Sequence, residues 1–197
     1  YANSLGVDVV VTDHHQPREE LPPAVAVVDP HRKDCPSPCK SLAGVGVAFK
    51  LICALEGDDS GEEMLEAYGE LVALGTLADV VELRGENRTI VRRGLRQLAE
   101  PENLGLAALL EVSGVGSRPI TAESVSFGLA PRINACGRLG RVDDGVELLL
   151  CEDEERAMEL ARSIDQLNSR RKELEAQIVE DIRRLLGQDP GLLHQRG

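Results

Sequence analysis

The chain has 197 residues, a formal net charge of -12 at pH 7 and a hydrophobic fraction of 42%. This is enough for one ordinary domain with an appended element. The negative charge argues against a sequence-blind basic coat for nucleic acid, so any such contact must rest on a local cluster of arginines. Aromatic residues make up only 2% of the chain, which predicts an aliphatic core and weakens any binding mode built on stacked aromatic platforms.

The first predicted element is a buried strand that ends in polar side chains. Residues 7–15 read VDVVVTDHH, and a β-branched run bounded by polar residues is typical of a strand in a parallel sheet. Asp13, His14 and His15 then lie at its carboxyl end, where open α/β sheets bind ligands. A carboxylate beside two imidazoles suits a divalent metal. These residues alone would also fit an ordinary polar loop.

A second buried strand is predicted at residues 24–28, where Asp29 and Pro30 end it. The proline-rich loop that follows contains Cys35 and Cys39 in the sequence CPSPC. Two cysteines at this spacing can belong to a zinc site, but no second Cys or His pair with structural-zinc spacing follows. We therefore interpret the segment as an ordered loop and expect no disulfide framework.

The rest of the chain is predicted to be mostly helical, because apolar residues recur at helical spacing in seven segments. These are residues 44–55, 62–78, 87–99, 104–112, 122–129, 143–150 and 153–186, with a break at 57–61. The last segment is long and mostly polar, and Gly187 is expected to end it. It could be a coiled-coil seam, a bundle helix or a spacer between domains.

A lone carboxylate, Asp79, interrupts the apolar run LGTLADVVEL. An ionised carboxylate among apolar residues is costly unless it is paired, caps a helix or binds a metal. The residues alone therefore leave open an N-cap, an ion pair with Arg84 or Arg88, and a metal ligand.

A third polar segment, FGLAPRINACGRLG at residues 127–140, is predicted to be an irregular loop because of Pro131, Gly137 and Gly140. Its planar side-chain donors suit phosphate groups. They are Arg132, Asn134 and Arg138. Ordinary surface arginines on a loop are the alternative.

Several of these strings together carry a family resemblance. The block TDHHQPREELPPAVAVVDP, with LAGVGVAFKL, LRGENRTIVRRGL and PRINACGRLG, resembles the DHH phosphoesterase superfamily, and within it the RecJ-like exonucleases. Cys136 departs from the family pattern, where alanine is expected, and the change is conservative. The resemblance covers residues 6–182.

The resemblance implies an α/β fold, with a partial parallel sheet of a DHH-type domain, a helical part and a long connecting helix. We expect residues 1–150 to form the C-terminal part of the DHH domain, residues 151–187 the interdomain helix and residues 188–197 a tail. The family's two earlier aspartate motifs have no counterpart before Asp13. The chain is therefore expected to be an internal fragment without meaningful nuclease activity of its own.

The resemblance also implies roles for the polar residues. His14 and Asp79 would be metal ligands, and His15 would contact the scissile phosphate. Asp13 would either bind metal or orient a histidine, so that its role is catalytic or metal-binding. Two Mn²⁺ or Mg²⁺ ions in the full-length site would activate a water and stabilise the leaving oxygen. The donors that would contact the nucleic-acid backbone are Arg132, Asn134 and Arg138.

The resemblance implies a fragment of a metal-dependent exodeoxyribonuclease that degrades single-stranded DNA from 5′ to 3′ in repair and recombination. By resemblance, a helicase or a single-strand-binding protein could be a partner, and the full-length protein is expected to be a cytoplasmic monomer without membrane contact. Two alternatives are a DHH phosphoesterase for short oligonucleotides or cyclic dinucleotides, and a catalytically inactive DHH scaffold.

Overall fold

The computed structural model describes residues 1–57 and 59–188, and it combines a small parallel sheet with a larger helical body. A 3-10 turn at Ala2–Leu5 precedes two strands, β1 (Val10–Thr12) and β2 (Ala26–Val28). The helices are α1 (Gly44–Glu56), α2 (Gly61–Ala78), α3 (Gly85–Gln97), α4 (Leu104–Ser113), α5 (Ala122–Ser124), α6 (Ala130–Arg138), α7 (Val142–Leu150) and α8 (Glu154–Gln188). A 3-10 turn at Val115–Ser117 follows α4, and a π-helical turn at Val125–Leu129 joins α5 to α6. The predicted α/β class is confirmed, with helix as the dominant element.

The two strands pair in parallel, with Val10 opposite Ala26 and Thr12 opposite Val28. The prediction of fully buried strands is wrong, because exposed and half-buried side chains alternate along both of them. Successive side chains of a strand point to opposite faces, and in the described residues α1 packs beside β1 and covers only one side. The valine-rich composition therefore predicts the strands but not their burial.

The core lies in the helical body and is almost entirely aliphatic, as the composition predicts. Its larger cluster joins α2, α4, α6, α7 and the first half of α8. Fully buried members of this cluster are Leu98, Leu106, Leu109, Leu129, Leu148 and Ile164. A smaller cluster of Phe49, Leu65, Val72 and Ile90 joins α1, α2 and α3.

Two facing glycines let α2 and α3 cross at very short range. A Cβ at Gly94 would lie 2.2 Å from the carbonyl oxygen of Gly69 and 2.3 Å from the Cβ of Ala73. Any side chain at this position would force the two helices apart. The crossing therefore fixes the direction of α2, whose last turn leads to Asp79.

The segment around Pro131, predicted to be an irregular loop, is helix α6. Pro131 lies in the first turn of α6, directly after the π-helical turn, where the regular α-helical hydrogen-bond pattern is already interrupted. Gly140, with a φ of 70°, provides the left-handed turn after the helix ends. Ala135 and Cys136 are buried on the inner side. The proline thus lies within a continuous helical segment, residues 122–138, and not in a loop.

The first half of α8 is a bundle helix that packs against α4, α6 and α7. Its buried residues end at Asn168, and Ile178, Ile182 and Leu185 farther along are exposed. Gly187 does not end the helix, which continues to Gln188, and residues 189–197 of the predicted tail lie outside the described part. Among the described residues, no helix combines the length and hydropathy needed to cross a bilayer.

Candidate metal centre and nucleic-acid interface

Two carboxylates follow the two strands at the same edge of the sheet. Asp13 comes directly after β1, and its backbone N–H donates to the carbonyl of Val28 at 3.0 Å. Asp29 comes directly after β2, is only 4% exposed, and accepts a hydrogen bond from the backbone N–H of His31 at 2.8 Å. Because the strands are parallel, both carboxylates lie at the carboxyl edge, where ligands bind in such sheets. The sequence pattern marks Asp29 only as the end of a strand, although its position directly after a second strand is also a signal for a site residue.

Asp13 organises the two histidines that follow it. One of its oxygens, Oδ1, accepts from the backbone N–H of His14 at 2.7 Å and from that of His15 at 3.2 Å. The same oxygen accepts from Nδ1 of the His15 ring at 2.8 Å. The bond from the ring, followed by the two backbone bonds, lowers the pKa of Asp13 from 3.8 to about 2. Asp13 is therefore a fixed anion at neutral pH.

The His15 side chain is exposed, and the neighbouring Asp13 favours its protonated form. Its hydrogen bond to Asp13, with the negative charge of that carboxylate, raises the pKa of His15 above its ordinary value of 6.5. In the protonated form Nδ1 donates to Asp13, and the Nε2 N–H is the ring donor left for a ligand. An imidazolium with one free donor suits a phosphate oxygen.

His14 and Asp79 approach each other although they are far apart in the sequence. Nδ1 of His14 lies 3.3 Å from Oδ2 of Asp79, and their side chains are 19% and 39% exposed. Asp79 stands at the C-terminal end of α2, so it is not an N-cap. Arg84 lies instead beside Glu82, at 3.9 Å. A carboxylate at the negative end of a helix dipole is disfavoured unless a cation is near it.

The backbone around this pair is constrained on both sides. Val80, the residue after Asp79, has a φ of 58°, which is rare for a β-branched residue and costs about 1–3 kcal/mol. On the other side, a Cβ at Gly44 would lie 3.3 Å from Cδ2 of His14. The strained turn leads the chain away after Asp79, and the glycine at the start of α1 leaves space for the His14 ring.

This donor set fits a hard divalent cation. The 3.3 Å between His14 Nδ1 and Asp79 Oδ2 is close to the separation of about 3 Å between adjacent ligands whose bonds to one ion are about 2.1 Å long. Ligand atoms of Asp13, His14 and His15 also lie within 4.8 Å of one another. Carboxylates and imidazoles together suit Mn²⁺ and Mg²⁺, and the imidazoles favour Mn²⁺.

The proline-rich loop beside this edge is ordered by a lysine. Nζ of Lys40 donates to the carbonyl oxygens of Pro30 and Cys35 at 2.7 and 2.8 Å. Cys39 donates instead to a carboxylate oxygen of Glu86 at 3.3 Å. All five cysteines are free thiols. The ammonium group thus fixes the chain directly after Asp29.

The three predicted phosphate donors do not share a face of α6. Arg132 is turned inward: its Nε and Nη2 both lie 2.8 Å from Oδ1 of Asp165, and its Nη1 donates to the carbonyl of Gly128 at 2.5 Å. Asn134 and Arg138 are exposed and one helical turn apart. Residues two apart in a helix differ by about 200° in direction, which is why Arg132 faces α8. The structure thus brings together Asn134 and Arg138 but not Arg132. The predicted contact of Arg132 with phosphate stays a prediction.

An exposed aromatic residue that the sequence analysis missed lies next to this helix. Phe127 is 80% exposed and belongs to the π-helical turn before α6, and such turns are frequent at functional sites. The hydroxyl of Ser126 donates to the carbonyl of Leu77 at 3.3 Å, which ties this turn to the end of α2 near Asp79. Phe127 precedes Asn134 and Arg138 in the same helical segment, and all three side chains are exposed.

Comparison with known proteins identifies this combination of fold and site. The family described as "DHH family, N-terminal domain" matches residues 1–76. The chain is 45% identical over 180 residues to the single-stranded-DNA-specific exonuclease RecJ of Bacillus subtilis (strain 168), and the match covers 91% of this chain. Crystal structures of RecJ from Thermus thermophilus in complex with Mn²⁺ and with Mg²⁺ match 94% and 93% of this chain. Their TM-scores are 0.78 and 0.74, at 38% and 37% identity.

The chain is thus similar to the DHH family over residues 1–76 and to RecJ proteins over most of its length. The resemblance drawn from its motifs is confirmed. The chain spans only part of its relatives, namely 22% of the length of the B. subtilis protein and 27% of each T. thermophilus chain.

Proposed function

We propose that this chain contributes to the active site of a RecJ-like exonuclease that degrades single-stranded DNA from 5′ to 3′ with two Mn²⁺ or Mg²⁺ ions, in DNA repair and recombination. The observation that carries the proposal is the approach of His14 to Asp79 at 3.3 Å beside the carboxyl edge of the sheet. It is supported by relatives named as single-stranded-DNA-specific exonucleases and by related structures that contain Mn²⁺ or Mg²⁺.

The same relatives support the domain organisation that we propose. Residues 1–150 form the C-terminal part of a DHH domain, and residues 151–187 form a helix that leads to a second domain. Single-stranded DNA is the substrate, and helicases or single-strand-binding proteins are the partners of a monomeric, cytoplasmic enzyme.

Each residue of the candidate metal centre has a separate task in this proposal. His14 and Asp79 hold a divalent ion, and the two ions of the whole site activate a water and stabilise the leaving oxygen. Asp13 uses Oδ1 to orient His15, and its Oδ2, which has no hydrogen-bond partner among the described residues, is available to an ion. In its protonated form, His15 donates from Nε2 to the scissile phosphate and offsets the negative charge of that phosphate.

The exposed side of α6 and the preceding turn binds the strand in this proposal. Arg138 and Asn134 donate to phosphate oxygens, which carry no sequence information. Phe127 stacks on a base, a contact that any base can make. Binding of this kind suits an enzyme that must move along every sequence.

The experiment places this chain in a complete enzyme. Its residues replace the matching segment of T. thermophilus RecJ, and the chimera is assayed with Mn²⁺ on a 5′-phosphorylated, 3′-labelled single strand. We expect His14→Ala and Asp79→Asn to lower kcat by about 100-fold or more, because each removes a metal ligand. The matched control is Glu63→Gln, an exposed carboxylate in the first turn of α2, which should leave kcat unchanged.

Two outcomes would contradict the proposal. Degradation that survives His14→Ala and Asp79→Asn would show that these residues hold no essential ion. A chimera that cleaves dinucleotides but not longer strands would favour a phosphoesterase of short oligonucleotides.

A further inference from the structure

An ion pair behind the proposed strand-binding face connects two helices. Arg132 of α6 and Asp165 of α8 have side chains that are only 14% and 33% exposed. Two guanidinium nitrogens lie 2.8 Å from the same carboxylate oxygen. Charge-assisted bonds in a mostly buried position are stronger and less screened by salt than those of an exposed pair.

The guanidinium of Arg132 also reaches a third element. Its Nη1 donates to the carbonyl of Gly128, which belongs to the π-helical turn that carries Phe127. One side chain therefore connects the turn, α6 and α8. Every group on the proposed strand-binding face lies on the turn or on α6, namely Phe127, Asn134 and Arg138.

We propose that Asp165 is a positioning residue for strand binding. Through Arg132, it holds α6 in the orientation in which Asn134 and Arg138 meet the phosphates. The long helix thereby sets the position of the nucleic-acid-binding helix from behind, without touching the strand itself. This inference rests on the proposed function, because it assigns the exposed side of α6 to single-stranded nucleic acid.

The test compares variants of the 197-residue chain in their affinity for a fluorescein-labelled, 5′-phosphorylated oligothymidylate, measured by anisotropy at fixed salt. Asp165→Asn keeps the shape of the side chain and removes its charge, and it should weaken binding by about five- to tenfold. Arg132→Lys keeps the charge but loses the fork of donors, and it should cause a smaller loss. The control is Asp181→Asn on the same helix. Asp181 contacts Arg184 at 3.0 Å and Gln177 at 3.2 Å, both on α8, so this variant should leave the affinity unchanged.

A double variant separates positioning from a general loss of stability. If Asp165 acts through α6, Asp165→Asn combined with Arg138→Ala should bind no more weakly than Arg138→Ala alone. Additive losses, or unchanged binding in both Asp165→Asn and Arg132→Lys, would overturn the inference. Absence of binding by the unmodified chain, or binding insensitive to Arg138→Ala, would instead contradict the proposed function and the inference with it. Melting temperatures measured in parallel verify that each variant is folded.

Discussion

At the scale of single residues, one carboxylate sets both the geometry and the charge of its neighbours. Asp13 fixes the turn after β1 through two backbone N–H groups and raises the pKa of His15 through the ring bond. The sequence DHH predicts polar side chains after a strand. It does not predict that Asp13 binds the ring of His15, because this contact depends on the bend of the chain at His15.

The Asp13–His15 contact predicts a titration that can be measured directly. In the metal-free chain with chelator present, the midpoint of His15 followed by NMR should lie above 6.5, the ordinary value. Asp13→Asn should lower it, because the main cause of the shift is lost. Asp34→Asn, which removes a carboxylate paired with Arg32 instead, should leave it in place. A midpoint that does not respond to Asp13→Asn would show that the ring bond is absent in solution.

Glu70 predicts a pH dependence of stability. Its side chain is 7% exposed, Oε1 accepts from the backbone N–H of Asn103 at 2.9 Å, and Oε2 has no partner among the described residues. Burial raises the pKa of this carboxyl group above 4.5. The folded state therefore holds its proton more tightly than the unfolded state, and its stability decreases as pH rises through the folded-state pKa.

Glu70→Gln removes this titration. Urea titrations give the free energy of unfolding of this variant and of the unmodified chain. The value of the variant minus that of the unmodified chain should increase from acidic to mildly alkaline pH. Glu111→Gln, an exposed carboxylate on α4, should show no such trend. A difference that is constant with pH would mean that Glu70 is solvated in the folded protein.

At the scale of elements, the sequence predicts helices well where the apolar period is clear, as in residues 62–78 and 104–112. It fails at residues 130–138, because Pro131 and the glycines outweighed the buried Ala135 and Cys136. That error also grouped Arg132 with Asn134 and Arg138. In a loop the three donors could converge, whereas helical geometry sends Arg132 to the opposite side.

The crossing of α2 and α3 predicts opposite effects for two glycine substitutions. Gly94→Ala should lower the free energy of unfolding by about 3 kcal/mol or more, because the new Cβ would overlap the backbone of Gly69. Gly61→Ala, in the first turn of α2 with no atom near its Cβ position, should be neutral or stabilising. Chemical denaturation of both variants tests this. If both substitutions change the free energy of unfolding by the same small amount, α2 and α3 are farther apart in solution.

At the scale of the whole molecule, the site joins segments that are far apart in the sequence. Local pattern predicts carboxylates and imidazoles after strands, and the family resemblance predicts that His14 and Asp79 belong together. The sequence contains no signal for the strained Val80 that ends the α2 segment, or for the π-helical turn that exposes Phe127. Both depend on how helices pack, which no local pattern encodes.

The proposed function depends above all on His14 and Asp79 holding one divalent ion. Crystals of the chain soaked in Mn²⁺ and measured for anomalous scattering test it most directly. We predict a peak bonded to Nδ1 of His14 and to Oδ2 of Asp79, which disappears in Asp79→Asn and persists in Glu63→Gln. A peak bonded only to Asp13 and His15, or one that persists in Asp79→Asn, would contradict the account.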